Sequence, residues 1–240
     1  MEKATIIIPA ADVYREHTFT SEVITQALLG EQISILNTHD NWTEIEQWDG
    51  YKGWINNFCL SSNPNMEYIW SVHIEPIEHL LSPIPVHINA QSPAHLFPDN
   101  LSELTIRKEV SSDCAKFLHV PYRWGGKSNF GFDCSGLVQT AFKMNGISIP
   151  RDSKDQYELV KNNKIMPLEY AKTGDLIFFQ ENNKICHVAI YCENLKFIHC
   201  SGMVKFNSLD KEHQLFDKRL MDKFVGVFSM SEIIKEQLNE

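Results

Sequence analysis

A small all-β barrel followed by an α+β domain is the fold class this sequence predicts, and three observations point to it. Residues 3 to 62 are dense in strand signals and show no helical period of useful length. Composition changes near Leu101, after a proline-rich stretch, which divides the chain into a barrel region, 1–100, and a second domain, 101–240. The second region places its helical patterns first and its strand patterns after them, the order of helices packed on an antiparallel sheet.

Taken in order, "EQISILN" reads as a strand of the barrel. "WTEIEQW" alternates between two faces, Asp49-Gly50 supplies a turn dipeptide, and "YKGWI" resumes the strand, so a hairpin is expected there. Residues 63 to 100 carry six of the ten prolines with short strand-like pieces, "IWSVHI" and "PVHI", and read as a surface linker or the remnant of a second barrel. Beyond Leu101, Ile106, Val110, Cys114 and Phe117 recur at helical spacing behind Ser102 as a cap, and Pro121 forbids continuation. The loop "VPYRWGGKSNFGF" leads to Asp133 as an N-cap; Leu137, Val138, Ala141 and Phe142 then form one apolar face, closed by Gly146. "RDSKDQYELV" opens another helix, with Ser153 and Gln156 in a capping-box pattern. "GDLIFFQ", "CHVAIYC" and "KFIHC" read as buried strands.

The bulk numbers remove several function classes. With 240 residues, 43% hydrophobic and 22% charged, the composition is that of an ordinary globular protein. A net charge of -9 argues against a nucleic-acid partner, which calls for a basic face. No stretch approaches the ~20 apolar residues of a membrane span. The start, "MEKATIIIPAADVYREH", lacks the long apolar centre of a secretory signal, so a cytoplasmic location is expected. Of six cysteines none forms a Cys-x-x-Cys pair, so no metal site is expected. Cys59, Cys114, Cys186, Cys192 and Cys200 have apolar neighbours; Cys134 alone lies in a Gly-rich, polar setting.

A cysteine in the first turn of a helix meets unpaired N–H groups and the positive dipole end, both favouring thiolate. The dipole contributes ~0.3–1 kcal/mol, under one pKa unit, so from ~8.5 the group stays mostly thiol and needs a base. The same N–H groups can donate to an oxyanion forming beside the sulfur. His187 and His199 are the candidate bases, because both interrupt apolar strands. A hairpin closed by the three-residue loop Glu193-Asn194-Leu195 sets Cys192 opposite Lys196, Ala189 opposite His199 and His187 opposite Ser201. Both imidazoles then share one sheet face as diagonal neighbours ~7–8 Å apart at the backbone, with small Ala189 between them. One ring can take the thiol proton while the other orients it.

"PYRWGGKSNFGFDCSGLVQTAF", "PRDSKDQY", "KTGDLIFF" and "HVAIY…KFIHCSG", in this order, resemble the NlpC family of bacterial cell-wall cysteine peptidases over about Leu101 to Val227. The resemblance implies a papain-like fold with Cys134 as nucleophile, His187 as base, His199 as orienting third member and Tyr122 beside the nucleophile. The N-terminal part resembles bacterial SH3-like barrels, and the combination is similar to the γ-D-glutamyl-L-diamino acid endopeptidases that recycle murein peptides, of the dipeptidyl-peptidase VI type. These cleave after D-glutamate in L-Ala-γ-D-Glu-diamino acid tri- or tetrapeptides, the third residue being diaminopimelate or lysine, and require a free N-terminal L-alanine. The resemblance further implies that the barrel closes one end of the cleft, with Glu22 and Tyr51 ("TSEVITQALLGE", "DGYKGW") meeting Asp152 and Ser153 ("PRDS") around the substrate ammonium group, and Asp133, Ser135 and Arg151 as added contacts. It implies no metal and no organic cofactor. A less selective peptidoglycan amidase or endopeptidase of the same fold, and a catalytically inert wall-fragment binding protein, are the alternatives.

Overall fold

The computed structural model describes residues 2–62 and 102–238. The proline-rich stretch expected to be a linker or barrel remnant lies outside the described residues. The described chain forms two compact units: residues 2–62 with Arg123–Gly131, and residues 102–122 with 132–238.

The first unit is a seven-stranded antiparallel sheet made of β1 (Lys3–Ile6), β2 (Ala10–Tyr14), β3 (Val23–Leu28), β4 (Gln32–His39), β5 (Trp42–Glu46), β6 (Lys52–Asn56) and β7 (Leu60–Ser61), in the order β3-β2-β6-β5-β4-β1-β7. Alternation sends Ile6, Ala11, Val13, Ala27, Ile45 and Ile55 into one fully buried cluster. The expected β5–β6 hairpin is present: Glu46 pairs with Lys52, and Gly50 closes the turn at φ 77, donating to Gln47 O at 3.0 Å. Asp49 Oδ1 accepts the Tyr51 amide at 3.1 Å, so Tyr51 leaves the turn in a defined direction.

Residues Arg123–Gly131, part of the loop ahead of Asp133, belong to this first unit. The segment contains β8 (Lys127–Ser128), whose Lys127 Nζ, 3% exposed, donates to Gln47 Oε1 at 2.9 Å and faces Glu31 at 3.9 Å. Gln26 Oε1 accepts from the Lys127 amide and the Ser128 hydroxyl, both at 3.1 Å, and Arg123 Nη2 reaches Asp12 Oδ2 at 2.6 Å. Gly125 has φ 73, and a Cβ there would lie 2.8 Å from the Val23 carbonyl oxygen; only glycine fits.

In the second unit, α1 (Glu103–Lys116) starts at Ser102, whose hydroxyl accepts the Thr105 amide at 3.1 Å, and buries Ile106, Val110, Cys114 and Phe117 as the spacing predicts. β9 (Gly131–Phe132) leads into α2 (Cys134–Met144), and α3 (Ser153–Val160) follows. A five-stranded antiparallel sheet consists of β10 (Leu176–Glu181), β11 (Lys184–Tyr191), β12 (Lys196–Ser201), β13 (Met203–Ser208) and β14 (Phe224–Phe228), ordered β13-β12-β11-β10-β14. The helices α4 (Lys218–Met221) and α5 (Ser231–Leu238) flank β14 in sequence. Helices α1, α2 and α3 pack on β11 and β12, while Ile177, Phe179, Ala189, Tyr191, Phe197 and Val227 form a separate apolar cluster.

Two local expectations need correction. The α3 N-cap is Asp152, not Ser153, and its side chain makes no capping bond; Gln156 turns inward instead, its amide donating to Ser135 O at 3.1 Å and Pro150 O at 2.8 Å. Cys186 is exposed rather than sheltered, because β11 is buried only from Val188 onward.

Candidate active site

Asp133 caps α2 as its residue type predicts: Oδ1 accepts the Gly136 amide at 2.6 Å. Cys134 is therefore the first helical residue, and at 8% exposure its thiol is almost enclosed. Burial pushes this thiol up to about 11 and the Asp133 carboxylate adds to the rise; backbone hydrogen bonds from Val188 and Ser135, and the Arg151 charge, pull the other way. The dipole effect expected at the helix start is thus present and outweighed.

The β11–β12 hairpin has the expected register. The Cys192 amide donates to Lys196 O at 2.7 Å, and Ile190–Ile198 and Tyr191–Phe197 are paired. Asn194 and Leu195 close the loop at φ 58 and 60. Pairing stops at Ile190–Ile198, so the predicted partners Ala189–His199 and His187–Ser201 lie where the two strands have parted. In this parted stretch the Val188 backbone lies near enough to Cys134 to draw its thiol pKa down, one residue from His187. His187 Nε2 and His199 Nδ1 are 2.7 Å apart. His187 is half-buried and His199 is 1% exposed; burial, then the neighbouring ring, holds the His187 pKa down to about 3, and burial holds His199 down to about 4. Both rings are neutral over the ordinary pH range.

Behind His199 stands a residue absent from the sequence reading. Asn207 Oδ1 is 2.9 Å from His199 Nε2, and Asn207 Nδ2 donates to Leu215 O at 2.6 Å. A signal for it existed: β12 and β13 reverse at Gly202, and His199 pairs with Lys205 while Phe197 pairs with Asn207, so Asn207 is the diagonal same-face neighbour of His199.

Asp133, Ser135 and Arg151 come together beneath α2. Arg151 Nη2 and Nη1 reach the two Asp133 carboxylate oxygens at 2.6 and 3.0 Å, and Nη1 also reaches Ser135 Oγ at 3.1 Å, with Arg151 2% exposed. Tyr122 sits at the chain's approach to Phe132, with its amide donating to Gly202 O at 2.8 Å; burial, then Cys134 and Asp133, lifts its phenol well above the usual range, so it remains an O–H donor. Asp152 and Ser153, both half-buried, begin α3 in the same unit. Glu22 and Tyr51 belong to the first unit. There Glu22 is exposed, with Arg15 Nε at 2.8 Å from Oε2 and Trp124 Nε1 at 2.9 Å from Oε1; the Arg15 bond is the chief cause of a lowered carboxyl pKa. Among the described residues no group of His, Cys, Asp and Glu could hold a metal ion, and no helix is long and apolar enough to cross a membrane.

Against known proteins, residues 119–224 match the NlpC/P60 family and residues 9–61 match the bacterial SH3 domain family. The gamma-D-glutamyl-L-lysine dipeptidyl-peptidase of Bacillus subtilis (strain 168) is 49% identical over 95 residues, 38% of this chain and 31% of that protein. The protein of the same name from Bacillus cereus (strain ATCC 10987 / NRS 248) is 29% identical over 232 residues, 76% of this chain and 68% of that protein. The match thus spans under a third of the first relative and about two thirds of the second. A crystal structure of an NlpC/P60 family protein from Bacillus cereus ATCC 10987 has the same fold, with TM-score 0.67 over 94% of this chain and 98% of that one at 20% identity.

Proposed function

An NlpC/P60 domain follows a bacterial SH3 domain in this chain, and on that premise we propose that it is a cysteine peptidase hydrolysing the γ-D-Glu–diamino acid bond of murein peptides bearing a free N-terminal L-alanine. The observation that supports the reaction best is the imidazole pair at 2.7 Å, with Val188, next to His187, drawing the Cys134 thiol pKa down. His187 has its Nε2 engaged by His199, which leaves Nδ1 for the thiol. As sulfur attacks the scissile carbonyl carbon, the thiol proton passes to that nitrogen, and first-turn amides of α2 donate to the developing oxyanion. His187 then gives its proton to the departing amine, leaving a thioester on Cys134. Water, deprotonated through the same imidazole, releases the dipeptide acid and restores the thiol.

Support for the bond comes from the names of the two relatives, gamma-D-glutamyl-L-lysine dipeptidyl-peptidases, one of which aligns with most of this chain. A free ammonium group calls for carboxylates and polar groups, and Asp152 and Ser153 at the start of α3 are the residues proposed for it. The test is release of the L-Ala-D-Glu dipeptide from L-Ala-γ-D-Glu peptides ending in diaminopimelate or lysine, each free or N-acetylated. Free peptides are cleaved, acetylated ones resist, and Cys134→Ala loses turnover. Full turnover by Cys134→Ala overturns the mechanism, and equal cleavage of acetylated peptides overturns the selectivity. Recycling of wall peptides in the cytoplasm is part of the same proposal; finding the protein outside the cell membrane on fractionation would remove it.

A further inference from the structure

The Asn207 amide has one allowed orientation. The Leu215 carbonyl accepts from Asn207 Nδ2 at 2.6 Å and from the Ser208 amide at 3.1 Å, so it is pinned, and the reversed amide would set two oxygens against each other. Oδ1 is therefore the atom 2.9 Å from His199 Nε2, and a carbonyl oxygen only accepts. His199 Nε2 must carry a hydrogen. In a neutral ring that makes Nδ1 the bare nitrogen, so His187 Nε2, 2.7 Å away, must be the donor. A neutral His187 protonated at Nε2 is bare at Nδ1.

We infer that Asn207 is a positioning residue that sets the tautomers of both histidines from the Leu215 carbonyl outward, so that His187 meets the thiol with an unprotonated Nδ1. Without the Asn207 oxygen the chain of bonds can run backwards: His199 Nδ1–H donates to His187 Nε2, the His187 proton sits on Nδ1, and the ring cannot accept from sulfur. Asn207 itself touches no reacting atom. Around the relay, Lys205 on β13 and Lys223 ahead of β14 oppose a charge on the rings, while Asp217 ahead of α4 favours one on His199.

The experiment is nitrogen NMR of histidine side chains in the full chain without substrate, together with steady-state kinetics, for the native protein and Asn207→Ala. The native protein shows His187 and His199 each protonated at Nε2 only. Asn207→Ala shows Nδ1–H on either ring, and kcat falls by up to about 10⁴-fold, the scale of a wrong tautomer, with KM unchanged. The spectrum of the native protein needs no variant and serves the test if the alanine variant does not fold. Unchanged tautomers in Asn207→Ala, or Nδ1–H on either ring in the native protein, overturns the inference. The link to kcat rests on the proposed peptidase reading, but the spectroscopic result needs no substrate. A protein with the expected tautomers and no turnover would sink that reading and leave this inference standing.

Discussion

Burial and the helix start act on Cys134 in opposite directions, and burial wins. The dipole is worth ~0.3–1 kcal/mol, less than one pKa unit, whereas enclosure at 8% exposure takes the thiol up to about 11. His187, held down to about 3, does not take the proton in the resting protein. The resting pair is therefore thiol and neutral imidazole, and in the proposed reaction charge appears only as sulfur reaches the substrate carbon. Alkylation of Cys134 in the substrate-free protein should then rise steadily between about pH 6 and pH 9, measured by mass spectrometry of its own peptide because Cys186 is exposed and labels separately. A rate that is high and flat across that range would mean a preformed thiolate and contradict this account.

At the scale of elements, buried charges tie the catalytic unit together at points the apolar pattern does not mark. Arg107, 2% exposed on α1, donates to Glu103 Oε1 at 2.8 Å, Asp175 Oδ1 at 2.7 Å, Thr173 O at 3.0 Å and Ser231 Oγ at 2.8 Å. One guanidinium thus joins α1, the entry to β10 and the start of α5. Arg107→Met keeps most of the volume but leaves Asp175, 1% exposed, without its cation. Breaking a buried pair from one side costs about 3–5 kcal/mol. The Lys172 and Met230 amides still donate to Asp175, so the low end, about 3 kcal/mol, is expected in urea unfolding. A change under about 0.5 kcal/mol would show that the network is not holding these elements. The Arg151–Asp133 pair works in the same way at the start of α2, keeping the Cys134 turn in place.

For the whole molecule, the two buried imidazoles make stability depend on pH. Folded, they stay unprotonated down to about 3 and about 4; in the unfolded chain they take up protons near about 6.5. The unfolded state binds more protons below that value, so stability is complete above it and falls as pH drops towards about 4. Each histidine contributes at most about 1.4 kcal/mol per pH unit, so both together remove about 4 kcal/mol by about pH 5. That is a large share of an ordinary domain's stability of about 5–15 kcal/mol. The described tryptophans, Trp42, Trp48, Trp54 and Trp124, lie in the first unit and the described α-helices in the second. Far-UV circular dichroism therefore follows the unit that matters, and its urea midpoint should fall between about pH 7 and pH 5. An unchanged midpoint would show that the rings are not held neutral.

Much of this protein was determined by local sequence alone. Strand alternation, the Ser102 and Asp133 caps, the spacing of Ile106 to Phe117, and the three-residue loop before Lys196 each express a short-range preference that burial then reinforces. Cys134, His187 and His199 stood out as candidates for the same reason, because a polar residue inside an apolar pattern or at a capped helix start is conspicuous. Tertiary structure decided what depends on contacts distant in sequence. It buried Cys134 deeply enough to outweigh the helix start, parted β11 from β12 below Ile190, turned Gln156 inward to Ser135, and drew Arg123–Gly131 into the barrel unit through Asp12, Gln26 and Gln47. Asn207 lies between the two: the β12–β13 hairpin sets it diagonal to His199 eight residues away, but the burial of His199 and the Leu215 carbonyl that fixes the amide come from the folded structure.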